Sequence, residues 1–147
     1  MAESNESLRS AHASALSAEG YLVSVATDGS EALEVIARTK PDLVLLDLGL
    51  PGVSGWDILS SLQTIADWCD IDVITISAGI SPSVMAAAWR HGCSWSMTRQ
   101  VSLNDLLLVV RCLLGSRRAR QARRDALPVQ CPRTRPRETP MALAPTL

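Results

Sequence analysis

The sequence predicts an α/β fold built on a parallel, doubly wound sheet. Short apolar runs, several of them β-branched, alternate with segments whose apolar residues recur at helical spacing. The run Leu43-Val44-Leu45-Leu46 is apolar on both faces, as a strand covered by helices on both sides must be. In such sheets functional groups gather beyond the carboxyl ends of the strands. Asp47 and Ser77 both stand at such ends.

Taken in order, Ser7 to Glu19 predicts a helix, with Leu8, Ala11, Ala15 and Leu16 at helical spacing and Gly20 as its stop. Tyr21–Ala26 predicts a strand, carried by Leu22, Val23 and Val25. Asp28-Gly29 makes a turn, Ser30 is placed to cap, and 31–39 is a second helix with Leu33, Ile36 and Ala37 inward. After Pro41 comes the apolar strand that ends at Asp47. Pro51, Gly52 and Gly55 mark a loop, and 56–63 is a third helix with Ile58, Leu59 and Leu62. Val73–Ile76 is the next buried strand, leading to Ser77-Ala78. A short alanine-rich helix follows over 84–90, then a weak strand over 95–98. Ser102 is placed to cap a last helix over 104–114.

The length of 147 residues suits one domain plus a tail. Residues 1–114 carry six Arg or Lys and thirteen Asp or Glu, whereas residues 115–147 carry eight Arg and two acids. Gly115, five arginines between Arg117 and Arg124, and five prolines from Pro128 to Pro145 break the pattern. The expectation is a domain over 1–115 and a basic, Pro-rich, disordered tail over 116–147. No apolar stretch approaches the roughly eighteen residues a membrane helix needs. The acidic, serine-rich start is not a signal peptide, so a cytoplasmic location follows by default. Cys69, Cys93, Cys112 and Cys131 lie far apart and offer no zinc spacing; idle thiols are the expectation.

The stretch Asp47-Leu48-Gly49-Leu50-Pro51-Gly52-Val53-Ser54-Gly55 resembles the D-x-x-[ML]-P-x-x-x-G signature of response-regulator receiver domains. Lys40-Pro41-Asp42 leads into it as in that family. Glu19-Gly20-Tyr21, Asp28-Gly29-Ser30-Glu31-Ala32-Leu33 and Val73-Ile74-Thr75-Ile76-Ser77-Ala78 match further family segments in order, over roughly residues 3–114. The resemblance implies a flavodoxin-like fold and a signalling role in a two-component phosphorelay, not an enzyme. Asp47 would take a phosphoryl group from a phosphohistidine on a sensor kinase or phosphotransfer protein. Mg²⁺, held by Glu3, Asp47 and the carbonyl of Gly49, would offset the charge gathering there. The Ser77 hydroxyl would bond a phosphoryl oxygen as the switch. The output would pass to a downstream protein partner.

The chain departs from the family at four places. The acidic pair that ends the family's first strand falls on Glu3 and Ser4, so one acid is lost and Mg²⁺ binding should weaken. The family's Lys-Pro falls on Arg99 and Gln100. Arginine is not equivalent to lysine, and a trans bond before Gln100 is expected, because cis would cost about 2.5–4 kcal/mol. The aromatic switch position holds Ser96, with Trp95 beside it. Finally, only Met1 and Ala2 precede Glu3, so the central first strand is largely missing. Either the frame starts upstream of Met1, the favoured expectation, or the sheet is rearranged.

Two further functional classes stand beside the phosphoacceptor. Ser4, Ser96 and Gln100 favour a degenerate pseudo-receiver that binds partners without phosphorylation. The arginine run suggests nucleic-acid binding, but no recognition helix accompanies it, so a solvated extension is the expectation. His12 and His91 show no paired ligand, and Trp56, Trp68, Trp89 and Trp95 read as packing residues.

Overall fold

A computed structural model describes residues 1–79 and 81–126. The described elements are α1 (Glu6–Ala18), α2 (Gly29–Thr39), β1 (Leu43–Asp47), α3 (Gly55–Thr64), β2 (Asp72–Ser77), α4 (Pro82–Arg90), β3 (Trp95–Thr98) and α5 (Leu103–Ala126). The strands form a parallel sheet in the order β1-β2-β3, with Leu43 opposite Asp72 and Ile74 opposite Trp95.

Alternation along the strands divides the core into two layers. Val44, Leu46 and Val73 face one layer with Ala32 and Ile36 of α2 and Ile58, Leu59 and Leu62 of α3. Leu45, Ile74 and Ile76 face the other, against Leu16 of α1 and Leu106 and Val110 of α5. This two-sided cover is why β1 is apolar at every position before Asp47.

The helices start where their caps place them. The Asn5 side chain accepts from the Leu8 N–H, Asp28 from Glu31, Ser54 from Asp57 and Ser102 from Asp105. The second helix therefore begins at Gly29, capped by Asp28 rather than by Ser30. Gly29 has a steric reason: a Cβ there would lie 1.8 Å from the Val53 carbonyl oxygen. Ser81 caps α4 ahead of Pro82, so that helix opens two residues before the expected Val84.

The expected strand over Tyr21–Ala26 is corrected. Only Ala26 is bridged, in parallel, to Ala2, and Tyr21 to Val25 carry no ladder. In the structure this segment finds a strand partner at its last residue alone. Ala2 sits between Ala26 and Leu46: its N–H donates to Leu45 O at 2.8 Å, and its carbonyl accepts from the Asp47 N–H at 2.9 Å. Glu3 N–H donates to Ala26 O at 3.1 Å, and Ala26 N–H to Met1 O at 2.8 Å. Met1–Glu3 is thus the tip of a central strand, and it supplies partners only to the last residues of its neighbours. Extended sequence without a partner strand does not become sheet.

The domain boundary expected at 115/116 falls inside α5, which runs unbroken to Ala126. Glycine within a helix costs about 1 kcal/mol against alanine, too little to stop one that is anchored beyond it. Arg117 pairs with the Asp42 carboxylate at 3.2 Å and donates to the backbone carbonyls of Asp42 and Asp70. Arg120 pairs with Asp72 at 2.9 Å. These two arginines are engaged on the acidic ends of β1 and β2. The remainder of the tail, 127–147 with Cys131, lies outside the described residues. Among the described residues Cys69, Cys93 and Cys112 are not joined to one another, and burial pushes the Cys93 thiol up to about 11. No described helix is long and apolar enough to cross a membrane.

Candidate functional site

The carboxyl ends of β1 and β3 and the N-terminal stub bring three charged side chains together. Asp47 ends β1 and is only 1% exposed. Its Oδ1 accepts from the Gly49 N–H at 2.9 Å, and its Oδ2 from Arg99 Nη2 at 2.7 Å. Arg99 follows β3, held there by its own N–H donating to Ser77 O at 2.9 Å. Its side chain is 31% exposed, so the guanidinium forms the outer lid of the carboxylate.

Glu3 stands on the stub, 1% exposed. Its Oε1 accepts from the Asn5 N–H at 2.9 Å, while Oε2 is buried with no hydrogen-bond partner among the described residues. Burial raises the Glu3 carboxyl above its ordinary range, and the Asp47 charge adds to this. The Asn5 hydrogen bond, Arg99 and Arg9 oppose it. Arg9 of α1 holds the stub by donating to the carbonyls of Glu3 at 2.9 Å and Ser4 at 3.1 Å.

Tight backbone contacts fix the loop after β1. A Cβ at Gly55 would lie 2.2 Å from the Asp47 carbonyl oxygen, so only glycine lets α3 begin against the end of β1. A Cβ at Gly49 would sit 3.4 Å from Arg99 Nη2 and 3.5 Å from Asp47 Oδ1. The third Gly of this loop, Gly52, adopts φ of +74°, a left-handed turn.

Of the residues singled out by sequence, Asp47, Gly49, Arg99 and Glu3 converge. It is the N–H of Gly49 that reaches the Asp47 side chain. Ser77 is at the expected strand end, but its hydroxyl donates to Gly79 O at 2.8 Å and makes no bond to Asp47. Ser96 Oγ accepts from Thr75 Oγ1 at 2.9 Å, so this position braces β3 against β2. Trp95 is about half exposed. No cis peptide is present among the described residues, in line with the expectation for Arg99-Gln100. Sequence reasoning did not single out Arg9 or the steric need at Gly55. The spacing Glu3-x5-Arg9, one helical turn beyond a cap, is the only sequence signal for the former.

The donor chemistry offers a hard cation two carboxylates, one with a free buried oxygen. It also puts a guanidinium on Asp47. Among the described residues, no group of three or more His, Cys, Asp or Glu side chains is arranged to hold a metal.

A parallel sheet between helices, with a buried carboxylate at the carboxyl end of β1, defines the class of fold: CheY-like, flavodoxin-like α/β. The response regulator receiver domain family model matches residues 1–111. The chain belongs to that family. It is similar to response regulator MprA of Mycobacterium leprae, 34% identical over 99 residues, which are 67% of this chain and 42% of that protein. MprA of Mycobacterium avium is 33% identical over the same share. The chain thus spans less than half the length of these relatives. The fold matches a CheY-like receiver domain protein from Methanospirillum hungatei, with TM-score 0.75, 20% identity, and 81% of this chain and 94% of that one covered. It also matches NtrX from Brucella abortus, with TM-score 0.77, 24% identity, and 85% and 29% covered. Receiver domains are signalling modules, generally not enzymes, and generally bind Mg²⁺ at their phosphorylation site.

Proposed function

We propose that this chain is a cytoplasmic receiver that accepts a phosphoryl group on Asp47 from a sensor histidine kinase or phosphotransfer protein. The observation that carries this is the Asp47 carboxylate at the β1 tip. Its two oxygens are held separately, by Gly49 N–H and by Arg99, beside the unpartnered oxygen of Glu3. In the transfer, a carboxylate oxygen forms the new bond to phosphorus as the bond from phosphorus to the histidine nitrogen breaks. The electron pair leaves with that nitrogen. Mg²⁺, when bound, would offset negative charge on the phosphoryl oxygens. Glu3, Asp47 and the Gly49 carbonyl are the groups that would hold it.

The chain's own residues set the terms. Arg99 must leave Oδ2 for phosphorus to approach, and its planar, permanently charged fork can then pair with the phosphoryl group instead. The Ser77 hydroxyl must turn from Gly79 O toward the phosphoryl oxygen, which moves the loop after β2. That movement would be read by a downstream protein partner. The test is incubation with acetyl phosphate and Mg²⁺, followed by intact mass. Wild type should gain one phosphoryl group and Asp47→Asn none. Unlabelled wild type, folded and with Mg²⁺ present, would refute the proposal.

One observation favours a second reading, a pseudo-receiver that binds partners without phosphorylation. Asp47 is buried and already neutralised by Arg99. Beryllofluoride separates the two: amide shifts at Ser77 and Gly79 support phosphoacceptance, and an unchanged spectrum supports the pseudo-receiver.

A further inference from the structure

Arg9 lies one helical turn into α1, where its own N–H donates to Asn5 O at 2.9 Å. Its side chain reaches back along the helix. Nη1 donates to Glu3 O at 2.9 Å and to Ser4 O at 3.1 Å, so one nitrogen with two hydrogens closes two successive carbonyls. Both partners are neutral. The clasp therefore fixes backbone position, while the charge of Arg9, close by, favours the ionised form of Glu3.

What the clasp holds is a carboxylate with one oxygen satisfied and one open. Glu3 N–H donates to Ala26 O at 3.1 Å, and Glu3 Oε1 accepts from the Asn5 N–H at 2.9 Å. Asn5 in turn caps α1 by accepting from the Leu8 N–H at 3.0 Å. Glu3 is thus tied at its amide, its carbonyl and one carboxylate oxygen. The other oxygen, Oε2, is buried with no hydrogen-bond partner among the described residues. A buried acceptor left open is costly, and a loose backbone would turn it toward water. Arg9 opposes that turn, because it holds the two carbonyls that follow the Glu3 side chain.

We propose that Arg9 is a positioning residue for a divalent cation: by clasping Glu3 O and Ser4 O it keeps Glu3 Oε2 open as a ligand beside Asp47. The inference rests on the reading of Glu3, Asp47 and the Gly49 carbonyl as the groups that would hold Mg²⁺. Ser4 is neutral, so the orientation of Glu3 weighs the more for a hard cation that favours charged oxygen ligands. Partners that orient a metal ligand without touching the metal commonly govern affinity. The sign of the effect separates this role from charge alone. As a bare charge Arg9 repels a cation, and its removal would tighten binding. As a positioning group its removal must weaken it.

The test reads cation binding with no phosphodonor present. Mg²⁺ is titrated into the full chain and the amide shifts of Asn5 and Gly49 are followed by NMR. Arg9→Gln should bind Mg²⁺ about tenfold more weakly than wild type. On a Glu3→Gln background the same substitution should change affinity no further, because Arg9 acts through Glu3. Arg9→Lys keeps the charge and loses the planar fork; it should also bind more weakly than wild type, and it is read in the same way if the glutamine variant does not fold. Mg²⁺ binding by wild type that folded Arg9 variants match or exceed would overturn the positioning role alone. So would an equal loss on the Glu3→Gln background. A wild type whose Gly49 amide does not respond to Mg²⁺ would overturn it together with the cation role of Glu3, Asp47 and Gly49.

Discussion

Arg99→Ala tests whether the Asp47 carboxylate is held closed as the geometry describes. The pair lies between two regimes. Breaking a fully buried ion pair by removing one partner costs about 3–5 kcal/mol, whereas a solvent-exposed pair is worth about 0.2–1 kcal/mol. Here Asp47 is 1% exposed and the Arg99 side chain 31%. The Gly49 N–H at 2.9 Å keeps Oδ1 satisfied in the variant. Water can reach Oδ2 once the guanidinium is gone. The expected loss is therefore about 2 kcal/mol, below the buried limit. Urea unfolding of wild type, Arg99→Ala, Asp47→Asn and the double variant isolates the pair's share. The double variant should be less destabilised than the sum of the singles by about 1 kcal/mol or more. Additivity within about 0.3–0.5 kcal/mol would show that the charges do not meet, and the lid role of Arg99 would fall.

Gly55→Ala should destabilise by about 2 kcal/mol or more, since its Cβ would lie 2.2 Å from Asp47 O with no side chain to yield; a urea midpoint equal to wild type would contradict the packing. Stability should fall as pH drops from 8 toward 6. Burial depresses both the Met1 amine, to about 6, and the buried His12, so the unfolded chain binds more protons in that window. Acetylating the amine should remove the part of the slope nearest pH 8, and His12→Gln the part below about 6.5, as read by urea midpoints at each pH. Replacing Arg117 and Arg120 together by alanine should fray α5 beyond Gly115 and cost about 1 kcal/mol, seen as faster amide exchange in residues 117–120. Unchanged exchange there would show that the ion pairs to Asp42 and Asp72 do not anchor the extension.

Much of this architecture is legible in the residues because it rests on local chemistry. The all-apolar run before Asp47 reads as a strand covered twice, and Ser102 reads as a cap ahead of an apolar helical face, as the Asp105 N–H donating to its Oγ bears out. Tyr21–Ala26 shows where local reading ends. Its β-branched content is real, but a strand exists only with a partner, and Met1–Glu3 supplies one for Ala26 alone. Gly115 reads as a stop because the acids that hold α5 beyond it, Asp42 and Asp72, are far away in sequence. The same holds at the site. Asp47 and Arg99 were each marked by motif position, yet that they form a closed pair, 52 residues apart, is a tertiary fact. That Ser77 faces Gly79 is a rotamer choice no residue pattern encodes.

The central claim concerns one carboxylate, and borohydride trapping addresses it directly. The chain is treated with acetyl phosphate and Mg²⁺ and quenched with borohydride, which reduces an acyl phosphate to an alcohol. Peptide mapping should then find homoserine in place of Asp47 and at no other aspartate. Trapping at a different acid, or none in protein that is folded and saturated with Mg²⁺, would contradict the account.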